Sequence, residues 1–260
     1  MQKAVELKVK GLTLRGMLHV PEQKRKKFPF VAMYHGFTGD KMEEAFKFVE
    51  CSRILAKAGI GSVRFDFGGS GESDGLFENM TLLSEIDEAR AIYTYMSKLS
   101  CADPANLFIM GHSLGGFISS IIAPDAPRLK GAVLWAPAIR EGIEYIGNLW
   151  KTKPRDKNNS IDLDGLRLGR GYYDSRITFL KLYGNPFRKA AEFAGQVLII
   201  HGAKDETVPV TTGKELKKWY GRPTALLKII KGADHGFSRL QWKEALIETT
   251  VAFIKKWCRH

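Results

Sequence analysis

The sequence predicts an α/β protein built on a mainly parallel sheet of eight strands. Six short runs consist mostly of apolar residues, which is typical of strands that are covered on both faces. Segments with helical periodicity alternate with these runs along the 260 residues. A polar and apolar alternation at the start of the chain adds two more strands. Strands and helices that alternate in this order form a sheet flanked by helices.

The predicted elements follow in chain order. Residues Val5 to Lys10 and Leu12 to Val20 alternate around Gly11, which predicts an antiparallel pair. The apolar runs are Phe30–Tyr34, Ile60–Phe65, Leu107–Met110, Ala132–Trp135, Val197–Ile200 and Ala225–Ile230. The helical segments are Glu43–Lys57, Thr81–Leu99, Leu114–Ile122, Gly213–Tyr220 and Leu240–Trp257.

One predicted connection is far longer than the others. Pro137 to Ala194 is a polar, Gly-rich stretch with aromatic residues between two sheet strands, whereas most connections in such folds have only a few residues. We therefore expect a core of residues 1–137 and 194–260 and an inserted cap subdomain of residues 138–193.

Composition and charge exclude several classes of protein. The formal net charge is +12, but the basic residues are scattered in short groups with no interleaved aromatic residues, so we expect solvated surface and no nucleic-acid partner. Three widely spaced cysteines without a CxxC pattern argue against disulfides and a zinc site. The N-terminus alternates, and nowhere do about 18 apolar residues follow one another. We expect a cytoplasmic protein without a signal peptide or integral membrane association.

Residues Gly111-His112-Ser113-Leu114-Gly115 match the Gly-x-Ser-x-Gly nucleophile elbow. An apolar run precedes Ser113 and a helical segment follows it, as an elbow requires. A second match, at residues 71–75, places Ser73 between Glu72 and Asp74 in a glycine-rich segment. Since the two carboxylates would oppose a developing alkoxide, we interpret Ser73 as a loop residue and Ser113 as the nucleophile.

A serine nucleophile needs a histidine base that is oriented by a carboxylate, and elbow enzymes carry them in the chain order serine, acid, histidine. Downstream of Ser113 lie three histidines, of which His201 ends a strand and His260 ends the chain. His235 follows the last predicted strand and is the predicted base. Asp205, in the loop after the preceding strand, is the predicted acid, with its neighbour Glu206 as the alternative.

Backbone N–H groups that stabilise an oxyanion come from the residue after the serine and from a loop after an earlier strand. These positions correspond to Leu114 and to Phe37. Gly36 lets the backbone approach a ligand, and together with His112 it is expected among the residues around the substrate. Neither His35 nor His112 has a second ligand at metal spacing, so we expect no metal.

Taken together, these segments resemble the α/β-hydrolase superfamily over nearly the whole chain. The resemblance rests on His35-Gly36-Phe37, Asp66 to Gly71, Gly111 to Gly116, His201 to Asp205 and Gly232 to Phe237. The sequence looks most like the bacterial cinnamoyl and feruloyl esterases, which have an insertion after an Ala-Pro-Ala strand end, here Ala136-Pro137-Ala138. The resemblance implies an α/β-hydrolase fold with a small cap over the acyl pocket, where Tyr172 and Tyr173 are expected to contact substrate from a mobile loop.

The implied reaction is hydrolysis of a small-molecule carboxylic ester through an acyl-enzyme, without a cofactor. A monoacylglycerol lipase or lysophospholipase, a thioesterase and an acyl-peptidase use the same constellation and remain open. From another class, a non-catalytic ligand-binding relative would normally lack one member of the triad, and none is missing here. A homodimer also stays open.

Overall fold

Eight strands form one sheet in the computed structural model, which describes residues 1–24 and 26–258. The strands are β1 (Gln2–Val9), β2 (Leu12–His19), β3 (Phe28–Tyr34), β4 (Gly61–Phe65), β5 (Ala102–His112), β6 (Leu129–Trp135), β9 (Gln196–Gly202) and β10 (Ala225–Ile230). Their order is β1-β2-β4-β3-β5-β6-β9-β10. The β1–β2 and β2–β4 pairs are antiparallel and the other neighbouring pairs are parallel, which confirms the predicted sheet.

Burial of both sheet faces explains the apolar runs of the inner strands, whereas the edge strand β10 exposes Leu226 and Ile229. In β5, Leu107 and Ile109 belong to one hydrophobic cluster, whereas Phe108 and Met110 belong to the cluster on the opposite face, and all four are at most 1% exposed. Because successive strand residues point to opposite faces, a strand between two helical layers is buried at every position and is apolar at most of them.

Eight α-helices surround the sheet in the described part of the chain. They are α1 (Lys47–Lys57), α2 (Leu82–Ser97), α3 (Leu114–Ile122), α4 (Glu141–Thr152), α5 (Arg170–Tyr183), α6 (Pro186–Ala191), α7 (Val210–Tyr220) and α8 (Leu240–Trp257). Helices α1 and α8 cover one face, and α2, α3 and α7 cover the other. The predicted bounds of α3 and α8 are those observed.

The first predicted helix, Glu43 to Lys57, begins later than expected. Residues Glu43, Ala45 and Phe46 all have positive φ, between 52° and 59°, a region that the α-helix excludes for L-residues. The regular helix therefore starts at Lys47, and the residues before it form a tight irregular turn.

The long connection after β6 holds α4, a hairpin of β7 (Ile161–Leu163) and β8 (Leu166–Leu168), α5 and α6. Helix α6 packs against α3 and α7, so the end of the connection rests on the core. Within residues 1–24 and 26–258 there is no helix with the length and apolar character needed to span a membrane, and no cluster of three or more potential metal ligands of the His, Cys, Asp or Glu type. His260 lies outside the described residues.

Candidate active site

Four loops at one edge of the sheet carry the predicted site residues. Ser113 follows β5, Asp205 follows β9 and His235 follows β10, while Phe37 lies in the loop after β3. All four strands are parallel, so their carboxyl ends meet at the edge where ligands bind in open α/β sheets. The topology thus brings together residues that are up to 198 positions apart in the chain.

Ser113 has a strained backbone conformation, with φ of 54° and ψ of −116°. A Cβ atom on Gly115 would overlap the carbonyl oxygen of Tyr34, and one on Gly111 would overlap the backbone of Gly115. The glycines therefore allow β3, β5 and α3 to approach closely enough to force the sharp turn. Leu114 begins α3 directly after it.

The three predicted triad side chains are in hydrogen-bonding contact. Ser113 Oγ lies 2.9 Å from His235 Nε2, and His235 Nδ1 lies 2.8 Å from Asp205 Oδ2. The other oxygen of Asp205 accepts from the N–H groups of Thr207 and Val208, which fixes the carboxylate. The alternative acid, Glu206, is exposed, and its neighbour Asp205 occupies the position beside the imidazole.

Burial and neighbouring charges have opposite effects on the pKa values of Asp205 and His235. Burial raises the pKa of Asp205, but the hydrogen bonds from His201 and His235 and the backbone N–H of Val208 outweigh it and hold the pKa well below its usual range. Burial lowers the pKa of His235, and this effect exceeds the opposing influence of Asp205. At neutral pH the pair is therefore a carboxylate and a neutral imidazole, whose Nδ1–H donates to Asp205 and whose Nε2 accepts from Ser113.

A cavity of about 490 Å³ opens beside Ser113. The core contributes Phe37, Leu114 and Val208 to its lining, and the inserted segment contributes Tyr145, Ile146 and Tyr172 from α4 and α5. As the first residue of α3, Leu114 has a backbone N–H group without an intrahelical acceptor. A second cavity, of about 520 Å³, lies on the other side of Ser113, between the Gly36 loop and the turn before α1.

The structure places the two predicted tyrosines differently. Tyr172 is fully buried, lines the 490 Å³ cavity and packs edge-on against Phe37. Tyr173 instead stacks on Trp150 and lies under the guanidinium of Arg176, outside that lining. The expected position of Tyr173 at the substrate is therefore wrong.

The expected mobile loop around these tyrosines is also wrong, because they lie in the first turn of α5. A Cβ on Gly169 would overlap the carbonyl oxygen of Glu78. This glycine allows the inserted segment to pack closely on the segment before α2, and it does not mark a flexible hinge.

Gly36 and His112 lie beside Ser113 and line the cavity of about 520 Å³, and their polar groups contact protein atoms. The N–H of Gly36 donates to Glu43 Oε1 at 2.7 Å. His112 is 5% exposed, and its two ring nitrogens contact Glu43 Oε2 and the carbonyl oxygen of His235. These contacts support the surrounding loops, and the expected place of both residues around the substrate stays a prediction. His35 accepts from the N–H of Phe67, also a supporting contact.

Sequence reasoning missed Glu43. The sequence shows it only as one of two acids before an apolar helix face, where a solvated position is the default expectation. In the structure it is 8% exposed, and its carboxylate lies between two of the loops that carry site residues. No local pattern distinguishes it, because its burial depends on contacts with the Gly36 loop and with His112, which is 69 positions away.

The chain is similar in sequence and in fold to several known proteins. The profile of the family described as serine aminopeptidase, S33, matches residues 26–154. The structure is similar to that of Est1E from Butyrivibrio proteoclasticus with bound ferulic acid, with a TM-score of 0.83, 25% identity and coverage of 98% of this chain and 99% of that one. It also resembles a monoacylglycerol lipase from Paleococcus ferrophilus, with a TM-score of 0.71 and 19% identity, covering 94% of this chain and 99% of the other.

Among curated sequences, an uncharacterized 31.7 kDa protein of the traX-finO intergenic region of Escherichia coli is 24% identical over 231 residues, or 76% of this chain and 79% of that protein. The eight-stranded sheet, its helices and the near-complete structural coverage agree on one fold. The chain therefore has the α/β-hydrolase fold, and the matched family and structural neighbours support a hydrolase.

Proposed function

We propose that the protein is a serine carboxylic-ester hydrolase that works through an acyl-enzyme. The observation that carries the proposal is the continuous contact from Ser113 Oγ through His235 to Asp205, at 2.9 and 2.8 Å, beside an open cavity. A serine at its ordinary pKa is a weak nucleophile, and a neutral imidazole at hydrogen-bonding distance is the group that activates it.

In the proposed reaction, His235 Nε2 takes the proton of Ser113 as Oγ forms a bond to the ester carbonyl carbon. The N–H groups of Phe37 and Leu114 bind the oxyanion, and Asp205 stabilises the imidazolium. His235 then donates the proton to the departing alcohol as the carbon–oxygen bond breaks. Water, deprotonated by His235, attacks the acyl-enzyme and releases the acid and free Ser113.

The proposed substrates are esters of small acyl groups, with cinnamoyl or feruloyl groups among them. The cavity of about 490 Å³ lies within the range of about 300–1,000 Å³ that is usual for small-molecule sites. Its lining is largely aromatic and aliphatic, as an aryl acyl group requires. The inserted segment supplies one wall, which supports the proposal that residues 138–193 act as a cap that selects the acyl group.

The experiment that tests this proposal is a panel of p-nitrophenyl esters from acetate to palmitate, together with methyl ferulate and an acyl-coenzyme A thioester. Small-acyl preference with turnover of methyl ferulate supports the proposal. A preference for long acyl chains points instead to a monoacylglycerol lipase or lysophospholipase, and turnover of acyl-coenzyme A alone points to a thioesterase. Failure of a fluorophosphonate probe to label Ser113 contradicts the mechanism.

Paired tyrosine variants test the cap. Tyr172→Phe removes a hydroxyl from the cavity wall, so it should change the ratio of methyl ferulate to p-nitrophenyl acetate turnover. Tyr173→Phe is the matched control, because this ring lies outside the cavity lining. Equal ratios in both variants and the wild type would remove Tyr172 from substrate selection.

A second candidate is aminopeptidase activity, which one observation favours. Glu141 lines the acyl cavity; one of its carboxylate oxygens accepts from Thr212, and the other is buried with no partner among the described residues. A buried acceptor of this kind would suit the α-amino group of an aminoacyl substrate. Hydrolysis of alanine p-nitroanilide that exceeds that of p-nitrophenyl acetate, and that is lost in Glu141→Gln, would select this activity.

A further inference from the structure

Three buried side chains outside the triad connect the loops of the site. Glu43, His112 and Lys47, here called the Glu43 bridge, are 8%, 5% and 0% exposed. Glu43 lies in the turn before α1, His112 ends β5 and Lys47 begins α1. The carboxylate of Glu43 contacts the other two side chains, with Oε2 at 2.9 Å from His112 Nδ1 and at 3.9 Å from Lys47 Nζ.

Each member of the Glu43 bridge also holds the backbone of one loop. Glu43 Oε1 accepts from the N–H of Gly36, the residue before the proposed oxyanion donor Phe37, at 2.7 Å. His112 Nε2 contacts the carbonyl oxygen of His235 at 3.0 Å, and Lys47 Nζ donates to the carbonyl oxygen of Gly236 at 2.7 Å. His112 itself precedes Ser113. The bridge therefore joins the oxyanion loop, the elbow and the histidine loop.

The hydrogen-bond partners of His112 determine its protonation. Its Nδ1 faces a carboxylate oxygen and its Nε2 faces a carbonyl oxygen, and both of these atoms can only accept when the carboxylate is ionised. Burial raises the pKa of Glu43, but His112, Lys47 and the Gly36 N–H lower it to about 2, so the carboxylate is ionised at neutral pH. Both contacts are satisfied together only when His112 is an imidazolium.

The backbone of Glu43 supports the same interpretation. Its φ of 59° is in a region that few residues other than glycine adopt. A non-glycine residue stays in such a conformation where surrounding contacts over-determine it, and such residues concentrate at functional sites. The contacts here are those of the buried carboxylate with two loops.

We infer that Glu43 is a positioning residue for the proposed ester hydrolysis. Its carboxylate holds His112 as an imidazolium, and the pair fixes the oxyanion loop and the loop of His235 relative to Ser113. The inference rests on the proposed function. The imidazolium ring lies 5.0 Å from the ring of His235, measured between centroids. It therefore also disfavours a second positive charge on the proposed base.

The charged groups that face His235 come from several elements. Asp205 and His201 belong to β9 and the loop after it, and His112 belongs to β5. Lys47, the first residue of α1, contacts the carbonyl oxygen of the adjacent Gly236, and Glu43, in the turn before α1, contacts His112. Asp205 favours the protonated base and His112 opposes it. Removal of the His112 charge should therefore raise the pH at which His235 loses its proton.

The decisive variants are Glu43→Gln and His112→Asn, assayed with p-nitrophenyl acetate against pH. We expect Glu43→Gln to lower kcat by about 10- to 100-fold with KM nearly unchanged, because displacement of reacting groups by about 1 Å has effects of this size. In His112→Asn the acid limb of kcat/KM should move up by about one pH unit, as a unit charge about 5 Å away does at an effective dielectric constant of about 50.

A double variant and a matched control sharpen the test. The kcat of Glu43→Gln/His112→Asn should be only slightly lower than that of the less active single variant, because the effects of substitutions within one network are not additive. The control is Glu50→Gln in α1, outside the Glu43 bridge. Among the described residues, the Glu50 carboxylate pairs with Lys243 at 2.7 Å, and its side chain is 40% exposed. The kcat and acid limb of this variant should equal those of the wild type.

Imidazole ¹⁵N spectra at pH 7 test the bridge without any activity. Both nitrogens of His112 should carry hydrogen in the wild type, and only one in Glu43→Gln. A neutral His112 in the wild type overturns the inference.

The kinetics can also overturn the inference. They do so if both variants keep the kcat of the wild type and the acid limb of kcat/KM does not move, while labelling of Ser113 still supports ester hydrolysis. If Ser113 is not labelled, the proposed function fails and the spectra decide the bridge alone. If Glu43→Gln does not fold, the shift of the acid limb of kcat/KM in His112→Asn tests the inference.

Discussion

Residues 111–115 and residues 71–75 share the pattern Gly-x-Ser-x-Gly, but the chain around them differs in conformation and in hydrogen bonding. Ser113 lies in a strand-to-helix turn with φ of 54°, and its Oγ contacts His235 at the edge of a cavity. Ser73 lies in a loop, and its Oγ donates to the carbonyl oxygen of Asp66 and accepts from the N–H of Arg15.

The hydroxyl of Ser73 is thus occupied by backbone groups on both sides. The surrounding loop is fixed in the same manner: the carboxylate of Asp66 accepts from Lys41 and from the N–H of Glu72, and a Cβ on Gly71 would overlap that carboxylate. Gly71 allows the loop at residues 71–75 to pack closely, whereas Gly111 and Gly115 allow the strand and the helix around Ser113 to approach each other. The same pattern therefore has a structural role in one place and a proposed chemical role in the other.

The largest expected difference between the two serines is in turnover. Ser113→Ala should lower kcat for p-nitrophenyl acetate by about 10⁴-fold or more, since loss of the nucleophile removes the covalent route and leaves only binding and oxyanion stabilisation. Ser73→Ala should keep kcat near the wild-type value. Fluorophosphonate labelling followed by peptide mapping checks the same assignment. A labelled Ser73, or an active Ser113→Ala enzyme, would reverse it.

The next largest effect is expected for Asp205, whose carboxylate contacts His235 beside Ser113. Asp205→Asn should lower kcat by about 10⁴-fold, because an amide at this position favours the wrong imidazole tautomer. Glu206→Gln is the matched control, since its side chain is exposed and Asp205 holds the contact to His235. Steady-state kinetics of the two variants decide between the acids, and a greater loss in Glu206→Gln would move the triad.

The sheet and the residues at its edge could be predicted because they depend on local patterns. Apolar runs such as Leu107–Met110 identify buried strands, and parallel strands bring their following loops to one edge, so Ser113, Asp205 and His235 could be chosen from their places after strands. The strand and helix around Ser113 also separated it from Ser73.

The remaining features depend on contacts that no local pattern encodes. Glu43 looks like a solvated acid at a helix start, yet it has a positive φ and is buried against His112, which is 69 positions away. Gly169 and Gly171 look like a hinge, yet the missing Cβ of Gly169 allows the inserted segment to pack on Glu78. In both cases the residue type is explained by a neighbour that comes from a distant part of the chain.

A smaller effect should appear in stability, at the loop that leads to Ser73. Glu88 accepts from the N–H of Gly68 at 2.8 Å, and burial raises its pKa to about 7. Between its unfolded pKa of about 4.5 and this value, the folded state binds more protons than the unfolded state, so stability falls as pH rises. Glu88→Gln keeps an acceptor for Gly68 without the titration.

We therefore expect Glu88→Gln to gain stability relative to the wild type between pH 5 and pH 8, by about 2 to 3 kcal/mol. Urea unfolding at the two pH values measures this difference. Glu248→Gln, an exposed position on α8, should show no such change. A difference that stays constant with pH would mean that Glu88 is already ionised below pH 5 in the folded protein.

The smallest effect is expected for the hydroxyl of Ser73. In Ser73→Ala the carbonyl oxygen of Asp66 and the N–H of Arg15 lose a partner in a position that is only 9% exposed. Leaving such groups unsatisfied costs about 1–3 kcal/mol, which corresponds to a fall in Tm of roughly 2–10 °C for a chain of this length. Ser100→Ala, at an exposed serine, should leave Tm unchanged. Calorimetry and kcat together complete the comparison: a stability loss with unchanged turnover marks Ser73 as part of the scaffold, whereas a loss of turnover at unchanged Tm would give the loop at residues 71–75 a part in the chemistry.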